Sequence, residues 1–296
     1  MRTIAPRVER IGDLRNTVGE TPVWSVAEQA LYWINCEESP ELLRWDSETG
    51  AIERWPMPER IGGFVLKEKG GALVVLASGL FDFDFSSGEL SPRVKSPLSK
   101  PVALHECVCD PSGRFWVGAM NQTVGAGNAF PGGGSLFRLE GDELVPAVED
   151  ISCANGLAFS ADGRTLYFTD STTQRCDRYE VDPQTGELGP RETFFQLGET
   201  EGFVDGAAVD TEGGYWCPLV YTGKLRRYLP DGTADIEVEL PFDNPTKVSF
   251  GGKDMDTLFV TSTAQSLGGG ETSPLDGGLF AFKPGFTGRP DPLFPG

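Results

Sequence analysis

One unit returns six times along this chain at a spacing of roughly 40–50 residues, and that recurrence limits the fold more than any single motif does. Each unit holds a short apolar strand, a turn rich in Asp, Ser and Gly, and a second apolar strand with an aromatic or β-branched centre. The second strands are expected at 30–34, 72–76, 114–118, 165–169, 214–217 and 257–261. A third strand follows each, at 42–46, 80–84, 135–139, 178–182, 225–229 and 278–282, alternating apolar and polar as half-buried antiparallel strands do. The turns are explicit in Asp110-Pro111-Ser112-Gly113 and Ser160-Ala161-Asp162-Gly163, both closed by Gly. The 38 Gly and 22 Pro are spread between the apolar runs, and no dozen residues show the 3.6 period of a helix. The expectation is an all-β chain: a six-bladed β-propeller with four antiparallel strands per blade, one domain over residues 1–296. The segment around Val8 would complete the last blade. A two-sheet sandwich is the alternative, but it gives no reason for six repeats.

A propeller brings equivalent positions of its innermost strands around one axis. Counting back five residues from the turn after each first strand lands on Glu20, Gly63, His105, Asn155, Asp205 and Thr246. Glu20, His105, Asn155 and Asp205 therefore meet at one mouth of the channel, and all four can ligate a metal. Carboxylates converging there would repel one another unless a cation sat between them. Hard oxygen ligands suit Ca²⁺, Mg²⁺ or Mn²⁺, with water filling the remaining positions. The alternative is that these side chains bond strand ends or line a water-filled channel. Taken alone, Asp205-Gly206 is also an ordinary tight-turn dipeptide.

The segments Gly19-Glu20-Thr21-Pro22-Val23-Trp24, Ala154-Asn155-Gly156-Leu157-Ala158-Phe159-Ser160 with Asp162-Gly163-Arg164, and Val204-Asp205-Gly206 resemble the regucalcin/gluconolactonase family. The resemblance extends to Asp110-Pro111-Ser112-Gly113-Arg114 and Phe250-Gly251-Gly252, over nearly the whole chain. It implies a six-bladed propeller binding one divalent metal through Glu20, Asn155 and Asp205. Calcium is the first expectation, with Mn, Zn, Fe or Mg as alternatives. It also implies hydrolysis of sugar lactones, with Asp205 taking and returning the proton. The chemistry agrees: a metal polarises the carbonyl, and a nearby carboxylate draws a proton from the attacking water. No Ser nucleophile elbow, zinc-protease helix motif or phosphate-binding loop competes with this reading. Other esters, such as a phosphotriester, and a non-enzymatic calcium-binding or interaction propeller are the alternatives.

The substrate side departs from the family. Members commonly read Arg-x-Asn-Asp before the Asp-Pro-x-Gly turn; this chain reads Ala103-Leu104-His105-Glu106. Ala103 and His105 thus stand where the resemblance places sugar-binding residues, and a further substrate-binding position falls near Thr123 and Asn121. His105, the one histidine in the sequence, is expected either to ligate metal, which would favour Zn²⁺, Fe²⁺ or Mn²⁺, or to act as an acid/base beside the attacking water. The Gly-rich stretch 121–134, with Phe130, is expected to be either a lid over the mouth or a plain surface loop, and 268–271 a similar loop.

Charge narrows the partners. With 25 basic and 44 acidic residues, a formal −19, the surface repels phosphate backbones, so the expected partner is a small molecule rather than nucleic acid. No apolar run suggests a signal peptide or a membrane span, so a cytoplasmic monomer or weak homo-oligomer is expected. The cysteines, Cys36, Cys107, Cys109, Cys153, Cys176 and Cys217, are expected as free thiols; Cys107 and Cys109 would share a strand face in the core, with a zinc site as a minor alternative.

Overall fold

The computed structural model describes residues 1–124, 131–266 and 272–296. It is a six-bladed β-propeller. Blades 1 to 4 are four-stranded antiparallel meanders whose innermost strands are Gly19–Ser25, Ile61–Leu66, Val102–Cys109 and Ala154–Phe159. Blade 6 starts with Pro245–Gly251, and its outermost strand is Glu9–Ile11 from the N-terminal end, with Arg10 opposite Phe280. The expected closure around Val8 therefore holds. Two features had no counterpart in the repeat pattern. Arg2–Ile4 adds a further strand to blade 5, parallel to Ala234–Glu239. The innermost strand of blade 5 is in two pieces, Phe203–Val204 and Ala208–Val209, and Asp205 lies in the break. The one helical element among the described residues is the 3₁₀ turn Ser171–Thr173.

The core explains why so many strands are apolar on both faces. Side chains alternate across a strand, and each blade is covered on both sides by its neighbours. In the strand Ala72–Leu76, Ala72, Val74 and Leu76 pack toward blade 1 with Tyr32 and Leu42. Leu73 and Val75 pack toward blade 3 with Phe115 and Val117. Equivalent clusters fill the other blade interfaces, centred on Trp116 with Phe168, Tyr167 with Tyr215, Trp216 with Phe250, and Trp33 with Phe259. All six cysteines are buried and free, and Cys107 and Cys109 share the cluster between blades 2 and 3. No helix among the described residues is long and apolar enough to cross a membrane.

In two of the Gly-closed turns the opening Asp, Asp110 or Asp210, does more than turn the chain. Asp210 is fully buried and accepts from the Gly214 amide at 2.8 Å, Trp216 Nε1 at 2.8 Å and Arg227 Nε at 2.7 Å. Asp110 meets Trp116 Nε1 in the same way at 3.3 Å. The carboxylate thus ties the first hairpin of the blade to its third strand. Asp210→Asn removes the charge that faces a buried guanidinium but leaves Asp235, 2.6 Å from Arg227 Nη1. The expected cost is about 2 kcal/mol, read as a lower urea midpoint at unchanged slope; an unchanged midpoint would contradict this role.

Candidate active site at the mouth of the channel

Each innermost strand shifts register at or next to its ring position. The shifts fall between Glu20 and Val23, Ile61 and Gly63, Leu104 and Cys107, Asn155 and Ala158, and Pro245 and Val248, while blade 5 breaks at Asp205. A bulge re-aims the side chain beside it, which is how six strands starting alike can send side chains inward at the same level. The backbone next to the candidate ligands is special. Thr21 follows Glu20 with φ +50, and Gly156 follows Asn155 with φ +64. A Cβ on Gly156 would lie 2.5 Å from the Tyr215 hydroxyl, which donates to the Gly156 carbonyl. Gly206 follows Asp205, and a Cβ there would strike the Lys247 side chain at 2.3 Å.

Electrostatics shows which of these side chains meet. Glu20 is buried, and its carboxyl is pushed up to about 7 by that burial and by Glu106, with Lys247 opposing. Asp205 is raised well above the ordinary carboxyl range by burial, then by Glu20 and Glu106. Buried Cys36 senses Arg60, Glu20, Glu37 and Asp205 together, although burial is the main reason its thiol is raised. Asn155 joins them through Ser171: its Nδ2 donates to Ser171 Oγ at 2.9 Å, and that hydroxyl donates to the Val204 carbonyl at 2.7 Å, one residue before Asp205. The Asn155 nitrogen is thereby engaged, and among the described residues its Oδ1 accepts no hydrogen bond. Thr246 does something else; it donates to the Gly19 carbonyl and ties blade 6 to blade 1.

Most buried acids of this protein have a cationic partner. Glu41 is paired with Arg54, Glu106 with Lys247, Asp177 with Arg175, Asp210 with Arg227 and Glu237 with Arg226. Asp276 has none but accepts from the amides of Asp243, Asn244 and Ser273 and from Asn244 Nδ2. Glu20 and Asp205 have only the backbone amide that follows each, Thr21 at 3.0 Å and Gly206 at 2.9 Å. Two neighbouring carboxylates, one buried and one partly buried, neither ion-paired with a cationic side chain, with the amide oxygen of Asn155 left without a donor, fit a hard divalent ion. Among the described residues no three His, Cys, Asp or Glu side chains form such a group, so the candidate centre depends on the amide of Asn155.

The remaining expected positions divide. His105 is buried, with Nδ1 3.0 Å from Arg60 Nη2, and its imidazole is held well below its usual range by burial and then by Arg60 and Lys247. Ala103 is buried opposite Met120. Asn121 is engaged at both ends of its amide, donating to the Gly132 carbonyl at 3.0 Å and accepting from Thr123 Oγ1 at 2.8 Å. It shapes the start and end of the Gly-rich stretch, and Thr123 is part of the same knot. Phe130 and 268–271 lie outside the described residues.

Four residues near the ring escaped the sequence reading: Arg60, Ser171, and the buried pair of Glu106 and Lys247, whose Oε1 and Nζ are 2.5 Å apart. Glu106 Oε2 also accepts from the Leu157 amide at 2.9 Å, so the pair links blades 3, 4 and 6 beneath the ring. The same count carried one position further, from His105 to Glu106 and from Thr246 to Lys247, would have found it. Below lies a separate cavity of about 390 Å³ lined by Thr21, Cys107, Lys247 and Ser249, without Glu20, Asn155 or Asp205.

Residues 18–264 match the family described as SMP-30/Gluconolactonase/LRE-like region. The chain belongs to that family. Its relatives include 6-deoxy-6-sulfogluconolactonase of Pseudomonas putida, 35% identical over 95% of this chain and 96% of the relative. The pentonolactonase of Haloferax volcanii is 34% identical over 96% and 97%. Among solved structures, a regucalcin of Agrobacterium tumefaciens, described as a calcium-binding protein, superimposes with a TM-score of 0.91 at 26% identity, covering 99% of both chains. The resemblance of the three segments around Glu20, Asn155 and Asp205 thus reflects membership of this family.

Proposed function

We propose that this protein is a divalent-metal-dependent lactonase whose centre is Glu20, Asn155 and Asp205. The observation that carries the reading is that Glu20 raises the proton affinity of neighbouring Asp205 and neither carboxylate is ion-paired with a cationic side chain, whereas the other buried carboxylates among the described residues are paired or saturated with donors. A divalent cation held there, calcium first among the candidates, would supply Lewis-acid polarisation of the lactone carbonyl. Asp205 acts as the base. It takes a proton from the water that adds to the carbonyl carbon and returns it to the ring oxygen as the C–O bond breaks, giving a hydroxy acid. Without metal, burial and then Glu20 and Glu106 raise its proton affinity above that of an ordinary carboxylate, the direction a base needs. Glu20 and Asn155 hold the geometry, Asn155 being oriented by Ser171.

The relatives named for sulfogluconolactone and pentonolactone hydrolysis support the reaction class. We assign substrate contact to the blade 3 edge, where His105 stands beside Ala103 and the Asn121–Thr123 knot borders the mouth. Ala103 supplies no polar handle, so hydroxyl recognition on this side falls to His105. The calcium-binding description of the regucalcin structure favours a second reading, ion binding without catalysis. A panel of five- and six-membered sugar lactones, followed by proton release with Ca²⁺, Mn²⁺, Mg²⁺ or Zn²⁺ present, separates the two. The first reading expects turnover on at least one lactone; metal binding with no turnover on any of them would leave the second.

A further inference from the structure

His105 sits on blade 3, but its state is set by blade 2. The Arg60 side chain, 11% exposed, makes four contacts, the longest from Nη2 to Met120 Sδ at 3.9 Å. Nη1 donates to the Leu104 carbonyl at 3.1 Å, Nε donates to Glu37 Oε1 at 3.2 Å, and Nη2 lies 3.0 Å from His105 Nδ1. A guanidinium has five donors and no acceptor. In that contact Nδ1 must therefore accept, and the neutral ring must carry its proton on Nε2. Nε2 has no protein partner among the described residues, yet it is not among the sealed side-chain nitrogens and oxygens left unpaired. It opens on accessible space.

We infer that Arg60 is a positioning residue that fixes His105 as the Nε2–H tautomer, making it a hydrogen-bond donor to an acceptor oxygen of the substrate rather than a metal ligand or a base. The substrate role rests on the proposed function; the tautomer does not. A ligand or base nitrogen needs a free lone pair. The Nδ1 lone pair is taken by Arg60, and Nε2 has none to give. Glu37 balances the Arg60 charge, so the guanidinium serves as a fixed clamp whose donors are spent on protein. The consequence for the metal is an all-oxygen ligand set, which favours calcium, magnesium or manganese over zinc.

His105 is the protein's one histidine, so its imidazole can be read without assignment. In protein labelled with ¹⁵N-histidine, a long-range ¹H–¹⁵N spectrum at pH 7.5 is expected to show one ring with a pyrrole-type Nε2 and a pyridine-type Nδ1, unmoved by Ca²⁺ or Zn²⁺. An Nδ1–H ring, an imidazolium, or a Zn²⁺-induced shift of Nε2 would overturn the inference. In Arg60→Gln, shown folded by circular dichroism, the two nitrogens are expected to move toward averaged values; an unchanged spectrum would overturn the role of Arg60. If that variant does not fold, the wild-type spectrum still decides the tautomer, and Arg60→Met, which has no donor, takes its place. On whichever lactone turns over, His105→Gln, whose amide nitrogen can stand near the Nε2 position, is expected to retain roughly tenfold more kcat/KM than His105→Asn; equal losses would count against donation from Nε2. If no lactone turns over, the functional reading fails while the spectrum still decides the tautomer.

Discussion

Replacing Asp205 with asparagine is expected to lower lactone turnover about a thousandfold, within the range that a positioned base contributes, while leaving the fold intact. The variant keeps the shape of the side chain and one carbonyl oxygen, so the break between Phe203–Val204 and Ala208–Val209 has no steric reason to change. What it loses is a group able to hold a proton between the attacking water and the departing ring oxygen. It also removes one of two like charges from a desolvated site, so thermal stability without metal should hold or rise. Turnover and melting temperature measured on one preparation separate these effects. A loss below about tenfold would mean that the proton goes elsewhere.

Glu20 gives the second large effect, and its sign is opposite to the usual cost of altering a buried side chain. In the metal-free protein its carboxyl is raised from 4.5 to about 7, chiefly by burial. The folded state then holds the proton more tightly than the unfolded chain does. The penalty for ionising Glu20 is therefore absent below about pH 4.5, grows as pH rises, and is complete above about 7. A displacement of this size corresponds to about 3 kcal/mol. Glu20→Gln is expected to stabilise the chelator-treated protein at pH 8 by up to that amount and to change little at pH 4.5. Divalent metal should reverse the order, raising the melting temperature of wild type and not of the variant. Urea midpoints at the two pH values, with and without Ca²⁺, check this. A variant less stable than wild type at pH 8 in chelator would show that Glu20 is satisfied by a protein group.

Much of the architecture was legible in the sequence because propeller blades are built from local signals. The turns at Asp110–Gly113 and Ser160–Gly163 and the doubly apolar strands between them recur in order, and each blade interface needs only neighbouring units. The ring positions of Glu20, Asn155 and Asp205 follow from that repetition by counting. Arg60 was not legible, since it acts across a blade boundary on His105 and carries no motif. The Glu106–Lys247 pair joins residues 141 apart in the chain, and nothing local marks either as buried. Arg2–Ile4 has only three residues, too few for an alternation, and its partner Ala234–Glu239 lies at the other end of the chain. The break at Asp205 was hidden because Asp205-Gly206 reads equally well as an ordinary tight-turn dipeptide.

The claim on which the rest stands is that Glu20, Asn155 and Asp205 form one divalent-cation centre and that lactone opening depends on it. Protein stripped with chelator and then given one equivalent of Ca²⁺, Mn²⁺ or Mg²⁺ should go from no measurable turnover to full turnover, saturating at one ion per chain, and Asn155→Ala should raise the metal concentration required. Full turnover by the stripped protein, with chelator still present, would contradict it.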